Sequence, residues 1–138
     1  MTRELTAHEG EVAAQRRTQL EELQAAGPSM LEQLRERVGD DLKAAAIDAK
    51  LGELREGLLE DPMQRVWWLT RVGVWVAGEL AARHRGRWML DEDPHSRTFL
   101  RPVVGEFEGI ASVRYDPMQV TAAVVDAGER VASLLAQI

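Results

Sequence analysis

The sequence has 138 residues, 45% of them apolar and 29% charged, which is the length and composition of one globular domain. It contains no cysteine, and this excludes disulfide bonds, thiolate nucleophiles and zinc sites with thiolate ligands. The net charge is −6, and because an acidic chain repels phosphate, we do not expect nucleic acid as a partner.

The negative charge is concentrated in the N-terminal part of the chain. Residues 1–60 hold eight Lys and Arg against thirteen Asp and Glu, whereas residues 61–138 hold nine against ten. The first residues show no basic start followed by an apolar stretch, and Arg71 and Glu79 interrupt the longest apolar stretch. We therefore expect neither a signal peptide nor a membrane span, and a cytoplasmic protein.

The first predicted helix covers residues 10–26. Its apolar stripe is thin, so it has little surface to bury. We expect residues 1–27 to form a peripheral helix that is either mobile or held by a second chain. Gly27-Pro28-Ser29 is expected to end this helix, because a proline cannot continue it.

Residues 28–60 are predicted to form a helical hairpin. Ser29 and Glu32 have the spacing of a capping box for its first helix, which Gly39 is expected to end. Asp40 is the predicted cap of its second helix. The apolar residues of that second helix fall on one face, which can cover one side of a central helix: Ile47, Leu51, Leu54 and Leu58.

The stretch from Asp61 to Gly86 is predicted to be that central helix, since it carries most of the bulky apolar residues. One stripe at helical spacing consists of Val66, Leu69, Val72, Val76 and Leu80. Trp68 and Trp75 point elsewhere, so the helix is apolar nearly all round. A helix of this kind is buried, and other elements must cover it on several sides.

The tetrapeptide Asp-Pro-Met-Gln occurs twice, at residues 61–64 and 116–119. Each copy precedes an apolar-periodic stretch and predicts a helix start. Aspartate is a good N-cap, and proline at the first helical position loses no hydrogen bond. Because nothing else around the two copies is similar, we interpret the repeat as shared capping chemistry and not as a duplicated domain.

Between these helix starts the apolar period changes from helix to strand. Strands are predicted at residues 87–90, 97–104 and 110–115, and a closing helix at 117–136. Residues 61–138 thus contain the central helix, a small three-stranded antiparallel sheet and the closing helix. The predicted fold is α+β, one domain over residues 1–138, with N-terminal helices and a C-terminal helix packed around the central helix and the sheet.

Short motifs in the second half are similar to those of a diffuse group of uncharacterised bacterial α+β domains. They are Gly78-Glu79, Gly86-Arg87-Trp88, Asp91-Glu92-Asp93-Pro94 and Tyr115-Asp116-Pro117. The resemblance covers roughly residues 65–136. It implies a helix with a Gly-Glu pair, a strand opening with Trp, a short antiparallel sheet and a closing helix introduced by Asp-Pro, and no settled activity.

Glu79 is a carboxylate inside an apolar helix and must reach solvent or find a partner. An arginine is the expected partner, and the candidates are Arg71, Arg83, Arg87 and Arg101. The alternative is a ligand pocket between helix and sheet around Glu79, Trp88 and Arg101. No second carboxylate or histidine is placed beside Glu79 by any motif, so no catalytic residue is predicted.

The predicted partner-binding residues are two tryptophans and two arginines of the central helix. Trp67 and Trp68 point about 100° apart around a helix, so at least one is expected near a groove or an interface. Arg83 and Arg85 belong to a basic cluster that either complements the end of the helix dipole, with Gly86 as its left-handed cap, or binds an anion or acidic partner.

No metal site and no cofactor are expected. The acidic tip at residues 91–95 lacks the glycine with which calcium loops wrap, and the three histidines lack a ligand spacing. The best prediction is a non-enzymatic protein-binding domain, such as an adaptor, a secretion chaperone or an immunity-type inhibitor, whose acidic helical surface meets another, basic protein. A homodimer is possible in principle, a membrane partner is not expected, and the alternative is a small-molecule-binding or enzymatic domain using the pocket at Glu79.

Overall fold

The computed structural model describes residues 4–109 and 113–136. This part of the chain contains helices α1 (Ala7–Val38), α2 (Ala44–Glu60), α3 (Pro62–His84), α4 (Pro117–Ala127) and α5 (Val131–Ala136), and strands β1 (Arg87–Leu90) and β2 (Pro102–Gly105). Helices and a small antiparallel sheet together agree with the predicted α+β class. The chain divides into two compact units. The first comprises Met1–Ala26 and Leu80–Asp116, and the second comprises Gly27–Glu79 and Pro117–Ile138.

Helix α1 begins with a capping box. Thr6 Oγ1 accepts a hydrogen bond from the N–H of Glu9 (3.1 Å), and the Glu9 carboxylate accepts one from the N–H of Thr6 (2.9 Å). The helix then continues to Val38. The predicted capping box at Ser29 and the predicted break at residues 27–29 are therefore wrong.

Helix α1 tolerates Pro28 in its interior because of where this residue lies. Pro28 is exposed, and so is Gln24, whose carbonyl loses its donor, so water can satisfy that carbonyl. Gly27 beside it is buried, and a Cβ at this position would touch Val74 of α3. Packing of the helix in the second unit outweighs the local preference of the proline for a helix end.

The N-terminal part of α1 contributes side chains to the core of the first unit. Ala13 and Leu20, seven residues apart on one helical face, are buried in a cluster with Leu90 of β1. Three half-buried residues pack against this cluster: Leu5, Trp88 and Leu100. Residues 1–27, which the sequence predicts to be peripheral, thus supply two buried contacts.

Helix α2 begins at Ala44, and the predicted cap at Asp40 is wrong. Lys43 is the residue that precedes the first turn, and it makes no capping hydrogen bond through its side chain. Its ammonium group pairs with Asp41 instead (3.0 Å). The predicted apolar face is buried at Ile47, Leu51 and Leu58, and α2 packs against α4 and α5.

Helix α3 begins where the sequence predicts. The Asp61 carboxylate accepts hydrogen bonds from the N–H groups of Met63 (3.1 Å) and Gln64 (3.2 Å), and Pro62 takes the first helical position. The second copy of the tetrapeptide also starts a helix, since α4 begins at Pro117.

The middle of α3 is covered on all sides, as its apolar pattern predicts. Every residue from Val72 to Ala77 is buried. Val66, however, is 59% exposed, so its assignment to the buried stripe is wrong. Three residues of an α-helix turn through about 300°, which is about 60° short of a full turn. Val66 lies two such steps before Val72, so the two side chains point about 120° apart around the helix axis.

Helix α3 ends differently from the prediction. Arg85, and not Gly86, adopts the left-handed conformation (φ 53°) after the last helical residue, so the predicted role of Gly86 as the cap is wrong. Gly86 is instead needed for space. A Cβ there would collide with the Phe107 ring and approach the carbonyl oxygen of Gly105.

Strands β1 and β2 form an antiparallel pair. β1 has the predicted bounds, whereas the second strand begins at Pro102 and not at residue 97. The predicted third strand at 110–115 falls partly outside the described residues. Tyr115 forms an isolated antiparallel bridge with Val104, through backbone hydrogen bonds of 2.8 and 2.9 Å, so a third strand stays a prediction.

The predicted closing helix is two helices, because the chain turns at Gly128. Gly128 has φ 71°, a conformation that ends α4 at Ala127. The single helix predicted over residues 117–136 is therefore wrong. Apolar residues of the predicted helix are nevertheless buried on both sides of the break, at Val124 and Val131.

Two charged residues of α2 hold the joint between α4 and α5. Arg55 Nε donates a hydrogen bond to the carbonyl of Val125 (3.3 Å), near the end of α4. The Asp48 carboxylate accepts a hydrogen bond from the N–H of Val131 (2.7 Å), at the start of α5. Each charge complements the dipole of the helix end that it meets. Residues 48 and 55 lie seven apart, so one face of α2 reaches both ends.

Two valine-to-alanine changes on α3 test the buried and exposed assignments. Val72→Ala should lower the free energy of unfolding by about 2 kcal/mol, because it removes buried methyl groups and leaves a cavity. Val66→Ala, the same chemical change at an exposed position, should alter it by less than about 0.5 kcal/mol. Urea denaturation measures both, and equal effects would contradict the burial of this helix.

Two glycine-to-alanine changes test the joint between α4 and α5. Gly128→Ala should cost at least about 1 kcal/mol, because alanine disfavours the positive φ and its Cβ would collide with the Arg55 guanidinium. Gly57→Ala, inside α2 with open space around it, should instead stabilise the protein by roughly 0.5–1 kcal/mol. Thermal unfolding should therefore give a lower melting temperature for Gly128→Ala and a higher one for Gly57→Ala. A higher melting temperature for Gly128→Ala would rule out the turn.

Candidate functional site

An exposed apolar patch lies where α2 gives way to α3. It consists of Leu59, Met63 and Val66, which are 52%, 83% and 59% exposed and are the exposed large apolar side chains in the described part of the chain. Scattered exposed apolar residues are ordinary, but a cluster of them marks an interaction surface. We call these three residues the apolar patch.

Local structure places the patch. Met63 and Val66 are three residues apart and share one side of α3, opposite the buried side. Leu59 is in the last turn of α2, four residues before Met63. The Asp61 cap that starts α3 lies between the two parts of the patch along the chain.

The patch is bordered by negative charge. Glu56, Glu60 and Asp61 are all exposed around the end of α2. The nearest cation on α3, Arg65, is paired with Asp126, with Nη2 and Oδ2 2.6 Å apart. Because this arginine is paired within the protein, it does not offset the negative charge at the α2 end of the patch.

Trp67 adjoins the patch, whereas Trp68 belongs to the core. Trp67 is half-buried and follows Val66 directly. Trp68 is 1% exposed. The two rings meet edge to face with centres 4.9 Å apart. Of the two tryptophans predicted for partner contact, the structure therefore brings Trp67 to the surface.

Two arginines contact Trp67. The guanidinium carbon of Arg71 is 4.3 Å from the centre of a Trp67 ring, and that of Arg37 is 5.0 Å from it. Arg71 Nε also donates a hydrogen bond to Gln33 Oε1 of α1 (2.8 Å). The sequence has no local signal for the Arg37 contact, since α1 brings this residue to Trp67 from 30 positions away.

The two predicted partner-binding arginines at the end of α3 lie in the first unit. Arg83 and Arg85 are both exposed. Arg85 Nη1 pairs with Glu108 Oε2 at 2.9 Å. Exposed pairs of this kind contribute little to stability, so Arg85 keeps a charge that is partly compensated within the unit.

The three predicted pocket residues do not form one cluster within a unit. Glu79 is half-buried and belongs to the second unit, whereas Trp88 and Arg101 belong to the first. Trp88 packs against the apolar cluster around Leu90. Arg101 Nη1 is 3.6 Å from Asp116 Oδ2. Among the predicted arginine partners of Glu79, Arg87 pairs with Glu106.

The acidic tip after β1 is a loop organised by buried Asp91. Its carboxylate accepts hydrogen bonds from the Thr98 hydroxyl (2.6 Å) and the N–H of Asp93 (3.0 Å), and Arg114 Nε is 3.5 Å away. Burial raises the pKa of Asp91, but hydrogen bonds from Ser96, Thr98 and Asp93 and the charge of Arg114 together hold this pKa below its ordinary value. The Asp91 side chain thus holds the loop in its conformation.

Two kinds of site are absent from residues 4–109 and 113–136. No three His, Asp or Glu side chains there come together in a way that could hold a metal ion. No helix there offers an apolar stretch of the length needed to span a lipid bilayer.

A cavity of about 550 Å³ lies beside α2 within the second unit. Small and apolar residues of α2 and α4 line it together with four charged side chains: Asp48, Arg55, Glu129 and Arg130. Asp48 and Arg55 are already bonded to the ends of α5 and α4. None of Glu79, Trp88 and Arg101 lines this cavity.

Comparison with protein-family models, with curated proteins and with solved structures gives no match for this chain. The resemblance of residues 65–136 to a group of bacterial α+β domains therefore stays a prediction.

Replacing Asp91 by asparagine should lower the free energy of unfolding by roughly 1–3 kcal/mol at neutral pH, because a buried hydrogen-bonded carboxylate is lost. The folded-state pKa of Asp91 is depressed, so its contribution is complete above the ordinary aspartate pKa of about 3.9 and is lost as the pH falls through the folded value. Urea denaturation across the acid range should show the two proteins converging.

Asp40→Asn is the matched control, since Asp40 is exposed between α1 and α2. Its effect on unfolding should be small at every pH. A stability difference for Asp91→Asn that stays constant down to the lowest pH would show that its charge does not organise the loop.

Proposed function

We propose that this protein is a non-enzymatic, cytoplasmic protein-binding domain that takes an amphipathic, basic segment of another protein onto the apolar patch. The observation that carries the proposal is that the exposed large apolar side chains of the described residues, Leu59, Met63 and Val66, all fall at the end of α2 and the start of α3, beside half-buried Trp67. Apolar centres with an aromatic neighbour and a polar rim are the usual anatomy of protein interfaces.

The charge around the patch supports a basic partner. Glu56, Glu60 and Asp61 are exposed at its α2 end, and the neighbouring cation Arg65 is paired with Asp126. Complementary charge speeds association and excludes partners of the same sign. A segment with apolar residues for the patch and Lys or Arg for this rim fits both features.

The same charges argue against self-association through the patch. In a symmetric dimer whose two-fold axis runs close to this rim, Glu56, Glu60 and Asp61 would lie opposite the same residues of the second copy. Like charges opposite each other cost free energy. An adaptor, a secretion chaperone and an immunity-type inhibitor all satisfy the proposal, because each acts by holding another protein.

The cavity beside α2 favours a second candidate function, the binding of a small molecule. Its volume of about 550 Å³ is in the range of ligand sites. Such sites need a few polar groups directed at the ligand, and two of the four charged side chains lining this cavity, Asp48 and Arg55, already hold the ends of α5 and α4. The apolar patch therefore has the stronger claim.

Removing the apolar side chains should weaken partner binding. We expect the double variant Met63→Ser, Val66→Ser to bind the native partner at least about tenfold more weakly, since both residues are exposed and contribute apolar contact. A photo-crosslinker placed at position 59 should capture, from the native cell, a segment that mass spectrometry identifies as basic and amphipathic. Gln64→Ser, on the same turn of α3, is the control and should leave capture unchanged.

A second pair of variants tests the acidic rim. Glu56→Gln with Glu60→Gln should weaken binding and reduce its salt dependence, whereas Glu21→Gln with Glu22→Gln changes the net charge equally on an exposed part of α1 and should do neither. Capture of an acidic segment, of a second copy of this chain, or equally by the serine variant would overturn the proposal.

A further inference from the structure

The ring of Trp67 carries two guanidinium groups from different helices. Arg37 comes from the last turn of α1 and Arg71 from the middle of α3. Their guanidinium carbons lie 5.0 and 4.3 Å from the centre of a Trp67 ring. Stacking of this kind restricts the side chains and keeps two positive charges near one another.

Within residues 4–109 and 113–136, neither of these arginines forms an ion pair with a carboxylate. Neighbouring arginines on the same helices do: Arg35 pairs with Glu32 at 3.2 Å on α1, and Arg65 pairs with Asp126 at 2.6 Å. In a chain of net charge −6, two adjacent uncompensated cations are a local reversal of sign.

Existing contacts orient Arg71 and leave donors available. Its Nε donates to Gln33 Oε1 (2.8 Å) and its Nη1 donates to the carbonyl of Trp67 (3.2 Å). Nη2 and the second Nη1 hydrogen are not used by these bonds. Partial burial lowers the pKa of Arg71, because the charged guanidinium is less well solvated, so an incoming anion would compensate this charge.

We infer that Arg37 and Arg71, held against Trp67, form a carboxylate-binding subsite that takes an Asp or Glu side chain of the segment bound at the apolar patch. The inference rests on the proposed function for the origin of its ligand. A guanidinium fork matches the two oxygens of a carboxylate, and the pre-stacked side chains lose little freedom on binding.

The helical backbone around the subsite favours a side-chain carboxylate over a chain terminus. Terminal carboxylates are captured by unpaired backbone N–H groups. Residues 37 and 71 both lie within helices, where the backbone N–H groups are bonded along the helix.

The subsite and the acidic rim together determine the direction in which a segment binds. Both guanidinium groups lie at Trp67, which is six residues after Asp61, about 9 Å at the rise of an α-helix. A bound segment should therefore be basic where it meets the rim of Glu56 and Glu60, and acidic about 9 Å further along. That distance is about six residues of a helical segment or about three of an extended one.

Small probes test the subsite without the partner. Protein labelled at its arginine and tryptophan side-chain nitrogens is titrated by NMR with N-acetyl-glutamate amide at constant ionic strength. Saturable shifts of the Arg37, Arg71 and Trp67 side-chain signals are expected, with none from the neutral isostere N-acetyl-glutamine amide. Arg37→Gln should raise the apparent dissociation constant about tenfold, and Arg37→Lys, which keeps the charge without the fork, should raise it less.

The controls separate this inference from the proposed function. Arg35→Gln removes the same charge from the same helix at an already paired residue and should bind the probe as the unaltered protein does. The patch variant Met63→Ser, Val66→Ser should also bind it normally. The inference is overturned if N-acetylglycine or inorganic phosphate saturates the site and N-acetyl-glutamate amide does not. It is also overturned if the neutral isostere gives equal shifts, or if N-acetyl-glutamate amide gives no saturation.

Discussion

Desolvation of α3 is the constraint on which the second unit depends. Every residue from Val72 to Ala77 is buried, so neighbouring segments must approach this helix from several directions. Small residues make two of these approaches possible. A Cβ at Gly27 would touch Val74, and a Cβ at Gly73 would collide with Met118 of α4. The need to enclose this helix also explains why α1 continues through Pro28.

The cover on α3 ends toward its N-terminus, and this gives one helix two roles. Its middle belongs to the core, whereas its first turns carry Met63 and Val66 at the surface. A binding surface built on the end of a buried helix is rigid, because the buried part fixes its position. The function proposed for the patch therefore uses the stability of the core directly.

Local signals in the sequence were sufficient where the structure is decided by neighbouring residues. Asp61 and Pro62 predict the start of α3, Gly39 marks the end of α1, and β1 has the predicted bounds. Predictions failed where distant residues decide. Pro28 stays helical because Gly27 packs on Val74, and the turn at Gly128 is held by side chains of α2 that lie some 80 positions earlier.

The candidate site was predictable in part. The sequence predicted that at least one of Trp67 and Trp68 lies near a groove, without deciding between them, and it placed Val66 wrongly because steps of three residues drift around the helix. The acidic rim follows from the charge distribution of residues 1–60. The arginines on Trp67 were not predictable as a pair, because tertiary packing alone brings Arg37 to Trp67.

The two copies of Asp-Pro-Met-Gln begin two helices in the same way, yet their methionines differ in how accessible they are to oxidants. Met63 is 83% exposed at the centre of the patch, whereas Met118 is half-buried against Gly73. Peroxide converts an accessible methionine into a polar sulfoxide, and methionine sulfoxide reductases reverse this change. One oxygen atom on Met63 would therefore make the surface polar while leaving the capping chemistry of both copies intact, so under the proposed function oxidation would weaken binding without disturbing the fold.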